Sequence, residues 1–259
     1  MKLDMHGKTA LVTGAGQGVG RAIAFELGRL GATVAVNDFH ADRAAAVVRE
    51  LEAERIRAVP VAASVTELGQ VEAMCAEVAT RVGTIDILVN NAGNGGASMS
   101  LAGLKPFWET GPDEWSQWMG TNYWGVLNCC RSVVPGMIER RGGRIVTIVS
   151  DAARVGEPGL AVYSGAKAGA AGFMRALAKA VGRFNITANC VALGMTRTPG
   201  IRELVPDAEA ERKMLAGYVV RRAGDPEDAA AMVAFLASPA ASWITGQTYP
   251  VNGGYSFAV

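Results

Sequence analysis

Thr9-Ala10-Leu11-Val12-Thr13-Gly14-Ala15-Gly16-Gln17-Gly18-Val19-Gly20, followed by the helix-period segment Arg21 to Leu30, decides the fold class of this 259-residue chain. A short apolar, β-branched run reads as a buried strand, and the glycines crowd the one turn between it and a helix. Backbone N–H groups at a helix start lack intrahelical partners and carry partial positive charge, and a residue without Cβ lets a phosphate come close. Gly14, Gly16, Gln17, Gly18, Val19 and Gly20 are therefore candidates to cradle a pyrophosphate. A tight glycine turn without a ligand is the plainer alternative.

Moving outward, strand-like runs recur at Thr33 to Val36, Ala58 to Val61, Ile85 to Asn90, Arg144 to Ser150 and Ile186 to Val191, separated by Ala-rich segments of helical period. Such alternation predicts parallel strands joined by helical crossovers. Because the runs are almost continuously apolar, helices should cover both faces of the sheet. The expectation is a single α/β domain over 1–259 with a doubly wound sheet. Asn94 to Pro112 and Gly194 to Gly217 break the alternation and read as substrate-side loops, with 194–218 acting as a lid.

Half of the residues are hydrophobic, and 32 glycines suit a compact, turn-rich protein. The formal net charge is +1, and no run of basic residues is longer than a pair such as Arg140/Arg141 or Arg221/Arg222. That charge pattern argues against nucleic acid or an anionic membrane as partner and for a small-molecule substrate. Cys75, Cys129, Cys130 and Cys190 form no Cys-x-x-Cys pair, and His6 and His40 are the chain's histidines, so no metal is expected. The polar start lacks the form of a secretory signal, and the longest apolar run, Ala229 to Ala237, is too short to span a bilayer. A reduced, cytoplasmic protein is expected.

Asp38 ends the second predicted strand, eighteen residues after Gly20. A carboxylate there can accept hydrogen bonds from the adenosine ribose hydroxyls of a dinucleotide, and it would repel a 2′-phosphate. NAD is favoured over NADP, and the glycine turn offers no basic residue at Ala15, Gly16 or Gln17 to reverse this. Capping of the helix that starts near Ala41 is the alternative use of Asp38.

Tyr163 and Lys167 stand four apart in a helical segment from about Leu160 to Val181, so both project from one face. Ser150 closes the preceding strand. A free tyrosine has a pKa near 10, and an adjacent ammonium favours its phenolate; a shift of about three units takes roughly 4 kcal/mol. Tyr163 thus reads as a general acid/base assisted by Lys167 and Ser150, with an ordinary surface pair as the alternative.

Taken together, Thr13-Gly14-x-x-x-Gly18-x-Gly20, Asn90-Asn91-Ala92-Gly93, Asn122, Ser150, Tyr163-x-x-x-Lys167 and Gly194-x-x-x-Thr198 resemble the short-chain dehydrogenase/reductase family over essentially the whole chain. The resemblance implies a single Rossmann-fold domain with a seven-stranded sheet, Thr248 to Val251 as the last strand, and a homotetramer packed through the Asn122 and Tyr163 helices. It further implies that Tyr163 moves the proton, Ser150 orients the substrate oxygen, Lys167 holds the nicotinamide ribose and Asn122 completes a water relay. Ser64, Val65, Asn91, Ala92, Gly93, Gly194, Thr196 and Thr198 would join the cofactor contacts.

Three positions depart from the family pattern. Ser64-Val65-Thr66 stands where an Asp often reads adenine, Leu193 replaces a usual Pro, and Asn252 a usual Asp before Gly253-Gly254. Met99, Leu101, Phe107, Trp108, Met195 and Met214 suggest an apolar substrate lining. Ser150-Asp151-Ala152-Ala153-Arg154-Val155-Gly156 is similar to the matching stretch of 2-hydroxycyclohexanecarboxyl-CoA dehydrogenases, which implies an alicyclic or acyl-CoA alcohol as substrate. Arg154, Arg197 and Arg202 would then meet CoA phosphates, or else form surface salt bridges. Two rivals remain: a 3-oxoacyl-carrier-protein reductase, commonly NADPH-dependent, and a non-catalytic NAD sensor or scaffold on the same fold. Asp38 argues against the first and the intact Tyr163/Lys167 pair against the second.

Overall fold

A computed structural model describes residues 3–93, 105–199 and 207–257. Seven parallel strands form one sheet among these residues: β1 (Thr9–Val12), β2 (Thr33–Asp38), β3 (Ala58–Ala62), β4 (Ile87–Asn90), β5 (Gly143–Ser150), β6 (Ile186–Leu193) and β7 (Thr248–Val251). Their order is β3-β2-β1-β4-β5-β6-β7, so the chain reverses its direction of winding between β1 and β4. The strand ends that border such a switch point are where open α/β sheets bind ligands.

Both faces are covered. On one side α1 (Gly18–Arg29) and α2 (Ala41–Ala53) enclose a core with Leu27, Val34, Val36, Leu51 and Val146. On the other, α3 (Leu68–Val82) and further helices pack Leu11, Leu88, Cys130, Ile145 and Met174 into a second core. β1 and β4 are buried at every position, which explains their continuous apolar sequence: water reaches neither face. No helix among the described residues is long and apolar enough to cross a membrane.

The break predicted over 94–112 is corrected in part. Residues 94–104, with Met99 and Leu101, lie outside the described residues, but Pro112 opens α4 (Pro112–Met119), which runs through a π-helical turn at Gly120–Trp124 into α5 (Gly125–Glu139). Two helices follow β5 and lead to the site, the short α6 (Ala152–Val155) and the long α7 (Ala161–Val181). The excursion after β6 is likewise not purely a loop. It contains α8 (Ala208–Met214), whose start is capped by Asp207 accepting from the Glu209 and Ala210 amides at 2.9 and 2.8 Å. Helix α9 (Pro226–Ala237) then returns the chain to β7. Residues 200–206, including Arg202, lie outside the described residues.

Candidate active site

The carboxyl ends of β1, β2, β4, β5 and β6 carry the predicted groups. At β1, Gly14 has φ +60° and Gly18 φ +55°, a left-handed region that side chains with Cβ rarely adopt. A Cβ on Gly16 would fall 2.5 Å from Asp38 Oδ2, and one on Gly20 would overlap the Gly14 carbonyl and the Asn91 amide. The turn is therefore pressed against the Asp38 carboxylate on one side and β4 on the other.

Asp38 is buried and uses one oxygen to accept the Gly16 amide at 3.1 Å and the other to accept the His40 amide at 2.9 Å. Each carboxylate oxygen keeps further lone-pair capacity. His40, not Asp38, occupies the residue before α2, so capping in the sense expected from sequence is not its use. Helix α1 begins without a side-chain cap bond from Gln17 and with no acidic residue in its first turn. An anion can approach that end, and Thr198 stands against Gly18 across it. A glycine turn seated on a carboxylate, an uncapped helix start and a facing threonine fit an adenine dinucleotide whose ribose meets Asp38 and whose pyrophosphate meets α1.

Asn91 has a structural task in its side chain beside the backbone contact expected of it. Its amide Nδ2 donates to the carbonyls of Thr13 (2.9 Å) and Gly14 (3.0 Å), while Thr13 Oγ1 accepts the Asn91 and Ala92 amides at 3.0 and 3.1 Å. Its side chain clamps the glycine turn to β4. Val19 and Val65 also turn their side chains into the two cores, so contact with a cofactor would fall to their backbones. Ser64 Oγ lies 2.8 Å from Thr66 Oγ1, closing the turn that Asn128 holds by donating to Val65 O (2.9 Å) and Thr66 O (3.2 Å).

Tyr163 and Lys167 project from α7 toward β5. Ser150 hydrogen-bonds the Tyr163 hydroxyl, and the Trp118 ring packs edge-on against Tyr163 at 5.4 Å between centroids. Burial raises the Tyr163 pKa above its ordinary value, and the Ser150 bond offsets only part of that rise. Lys167 is anchored by the strand as well as set beside Tyr163. Its Nζ donates to Ile148 O at 2.8 Å and lies 5.9 Å from the Tyr163 ring centroid. Lys167 is 3% exposed, and burial lowers its own pKa to about 8.

Gly93 marks where these groups converge: a Cβ there would sit 3.1 Å from Lys167 Nζ and 3.2 Å from Asn122 Oδ1. Asn122 is fully buried in the π turn and donates from Nδ2 to Trp118 O at 2.8 Å, supplying a partner where the helical ladder widens. Trp118 escaped the sequence reading, although its place four residues before Asn122 was a usable signal. On the far side, Thr196 Oγ1 donates to Gly194 O at 3.2 Å, and Tyr218 hydroxyl accepts the Met195 amide at 2.8 Å.

The arginines suggested for phosphate binding are engaged elsewhere. Arg197 pairs with Asp225 (3.0 Å) and Glu211 (3.3 Å), and Arg154 with Asp151 (2.9 Å). Phe107 stacks on Trp115, and Trp108 is 81% exposed. Among the described residues no cluster of three or more metal-ligating side chains occurs.

Residues 14–256 match the family model described as enoyl-(acyl carrier protein) reductase. A 3-oxoacyl-[acyl-carrier-protein] reductase of Staphylococcus epidermidis is 39% identical over 248 residues, which is 95% of this chain and 98% of the relative. Among solved structures, a 7α-hydroxysteroid dehydrogenase complexed with NADH and 7-oxo glycochenodeoxycholic acid superposes with a TM-score of 0.91 at 35% identity, covering 98% of this chain and 96% of that one. A gluconate 5-dehydrogenase from Burkholderia cenocepacia in complex with NADP and tartrate gives 0.90 at 32% identity, covering 100% and 98%.

Proposed function

This chain belongs to the short-chain dehydrogenase/reductase family of oxidoreductases, and from that premise we propose that it interconverts a ketone and a secondary alcohol with NAD(H), using Tyr163 as the general acid/base. The observation that carries the proposal is the meeting of Lys167 Nζ and Asn122 Oδ1 at Gly93, beside Tyr163 packed on Trp118, on the same sheet edge that holds the glycine turn and Asp38. The dinucleotide, when bound, accepts or supplies the hydride. Everything else falls to the chain. Gly16, the start of α1, Asp38 and Thr198 bind and orient the dinucleotide.

Ser150 holds the substrate oxygen beside the Tyr163 hydroxyl. With its pKa raised by burial, Tyr163 carries its proton at neutral pH and can deliver it to a ketone oxygen as charge develops there. Lys167, fixed by Ile148 O, and Asn122, close by across Gly93, bring a cation and an amide to the base of the site. Trp118 excludes water from one face of the phenol.

The names of the relatives favour a 3-oxoacyl thioester as the ketone over an alicyclic acyl-CoA. Weaker support for the alicyclic class comes from Ser150 to Gly156, because Asp151 and Arg154 in that stretch bind each other. NAD over NADP is supported by the buried Asp38 carboxylate, a like charge for a 2′-phosphate. A homotetramer through the Asn122 and Tyr163 helices belongs to the same proposal, with the exposed Trp124 beside Asn122 in its favour. The test is reduction of 3-oxoacyl thioesters, cyclic ketones and oxo-steroids with NADH and with NADPH. Turnover with NADH on at least one class is expected; equal efficiency with both nucleotides would refute the account of Asp38.

A further inference from the structure

Arg154 donates from Nη1 to Asp151 Oδ1 (2.9 Å) and Ser256 Oγ (2.7 Å), and from Nη2 to Phe257 O (2.7 Å). The second oxygen of Asp151 accepts Asn252 Nδ2, which also bonds Ser256 O at 2.8 Å. Asp151 is 2% exposed and directly follows Ser150; its amide donates to Leu193 O at 3.0 Å, and the next amide, of Ala152, donates to Ser150 Oγ at 3.2 Å. One buried carboxylate thus joins the ends of β5 and β6 to the segment after β7. Removing a partner from such a pair leaves a charge uncompensated.

The same segment touches the rest of the substrate side. Tyr255 stacks on Tyr218 at 4.8 Å and 22°, and its hydroxyl donates to Glu157, in the approach to α7 and Tyr163. Tyr218 closes the excursion after β6 by accepting the Met195 amide. Gly194, at the start of that excursion, is pressed against the segment, since a Cβ there would lie 3.0 Å from Asn252 Cα.

We propose that residues Asn252–Phe257, clamped by Asp151 and Arg154, form the fixed wall of the substrate side, making Asp151, Arg154 and Tyr255 positioning residues for the ketone that meets Ser150 and Tyr163. The proposal rests on the ketone/alcohol activity above and deepens it. Arg154 acts through this chain's own oxygens, not on a substrate anion.

Hydrogen exchange by mass spectrometry and steady-state kinetics test it together on Arg154→Ala and Tyr255→Ala. Exchange should quicken about tenfold in both 252–257 and 150–156, since the two segments open as a unit. KM for a bulky ketone should rise about tenfold, with kcat lowered less than about threefold and the NADH Kd within about twofold. Tyr255→Phe, which keeps the stacking, should stay within about twofold of the parent KM. Quickening confined to 252–257, or a KM that stays put while both segments loosen, overturns the proposal. Should Arg154→Ala fail to fold, Tyr255→Ala breaks no ion pair and carries the same readouts. If the parent protein reduces no ketone with either nucleotide, the proposed activity fails; exchange alone then decides the clamp.

Discussion

Lys167→Met should make the protein more stable and inactive. Burial lowers Lys167 from the ordinary lysine value of 10.5 to about 8, so holding its ammonium inside the folded protein at neutral pH costs about 3 kcal/mol. A methionine removes that cost and gives up the bond from Nζ to Ile148 O, worth about 1 kcal/mol. The net gain is about 2 kcal/mol at pH 7, or a Tm rise of about 4–8 °C. Folded Lys167 loses its proton near pH 8, while the unfolded chain keeps it to 10.5, so between those values the unfolded state binds more protons and parent stability rises with pH. The variant has no such term. Its advantage should be full below pH 8 and close by about pH 10.5. Calorimetry of both proteins without nucleotide at several pH values measures the gap. A variant less stable than the parent at pH 7, or a gap that ignores pH, would refute the reasoning.

Two more predictions concern the proton and the cofactor. Because burial holds the Tyr163 pKa above its ordinary value, the phenolate needed for alcohol oxidation grows with pH; the oxidation rate should climb past neutrality, and ketone reduction should fall as the acid is lost. A pH-independent oxidation rate between 7 and 9 would count against Tyr163 as the base. Asp38→Gly with Phe39→Arg should shift preference toward NADPH by about tenfold or more, since a charge-assisted hydrogen bond is worth roughly 1.5–3 kcal/mol. The same change should lower Tm, because the Gly16 and His40 amides lose their acceptor.

The sheet is legible in the sequence because strands buried on both faces must be apolar throughout, as β1 is; β7, half-buried, is implied instead by the family resemblance. Gly14 to Gly20 and Asp38 are legible because covalent spacing brings a turn and the next strand's end together in any doubly wound fold. What spacing does not carry is the target of a side chain's hydrogen bond. The side chain of Asn91, read as a cofactor contact, also holds the glycine turn, and Lys167, read as the partner of Tyr163, also donates to Ile148 O. Arg154 reads as either an anion site or a salt bridge and makes the latter with Asp151, but its other partners, Ser256 and Phe257, lie about a hundred residues away and are brought to it only through β7. The π turn at Asn122 escapes a helical period for a related reason, since one extra residue per turn leaves the apolar pattern on either side intact.

Tyr163→Phe tests the central claim most directly, with NADH binding followed by fluorescence and turnover measured separately. The phenyl ring keeps the packing on Trp118 and removes only the hydroxyl that Ser150 engages. Nucleotide affinity should remain within about twofold while turnover falls about 100- to 10,000-fold. A variant that binds NADH and keeps more than about a tenth of the parent rate would contradict the assignment of proton transfer to Tyr163.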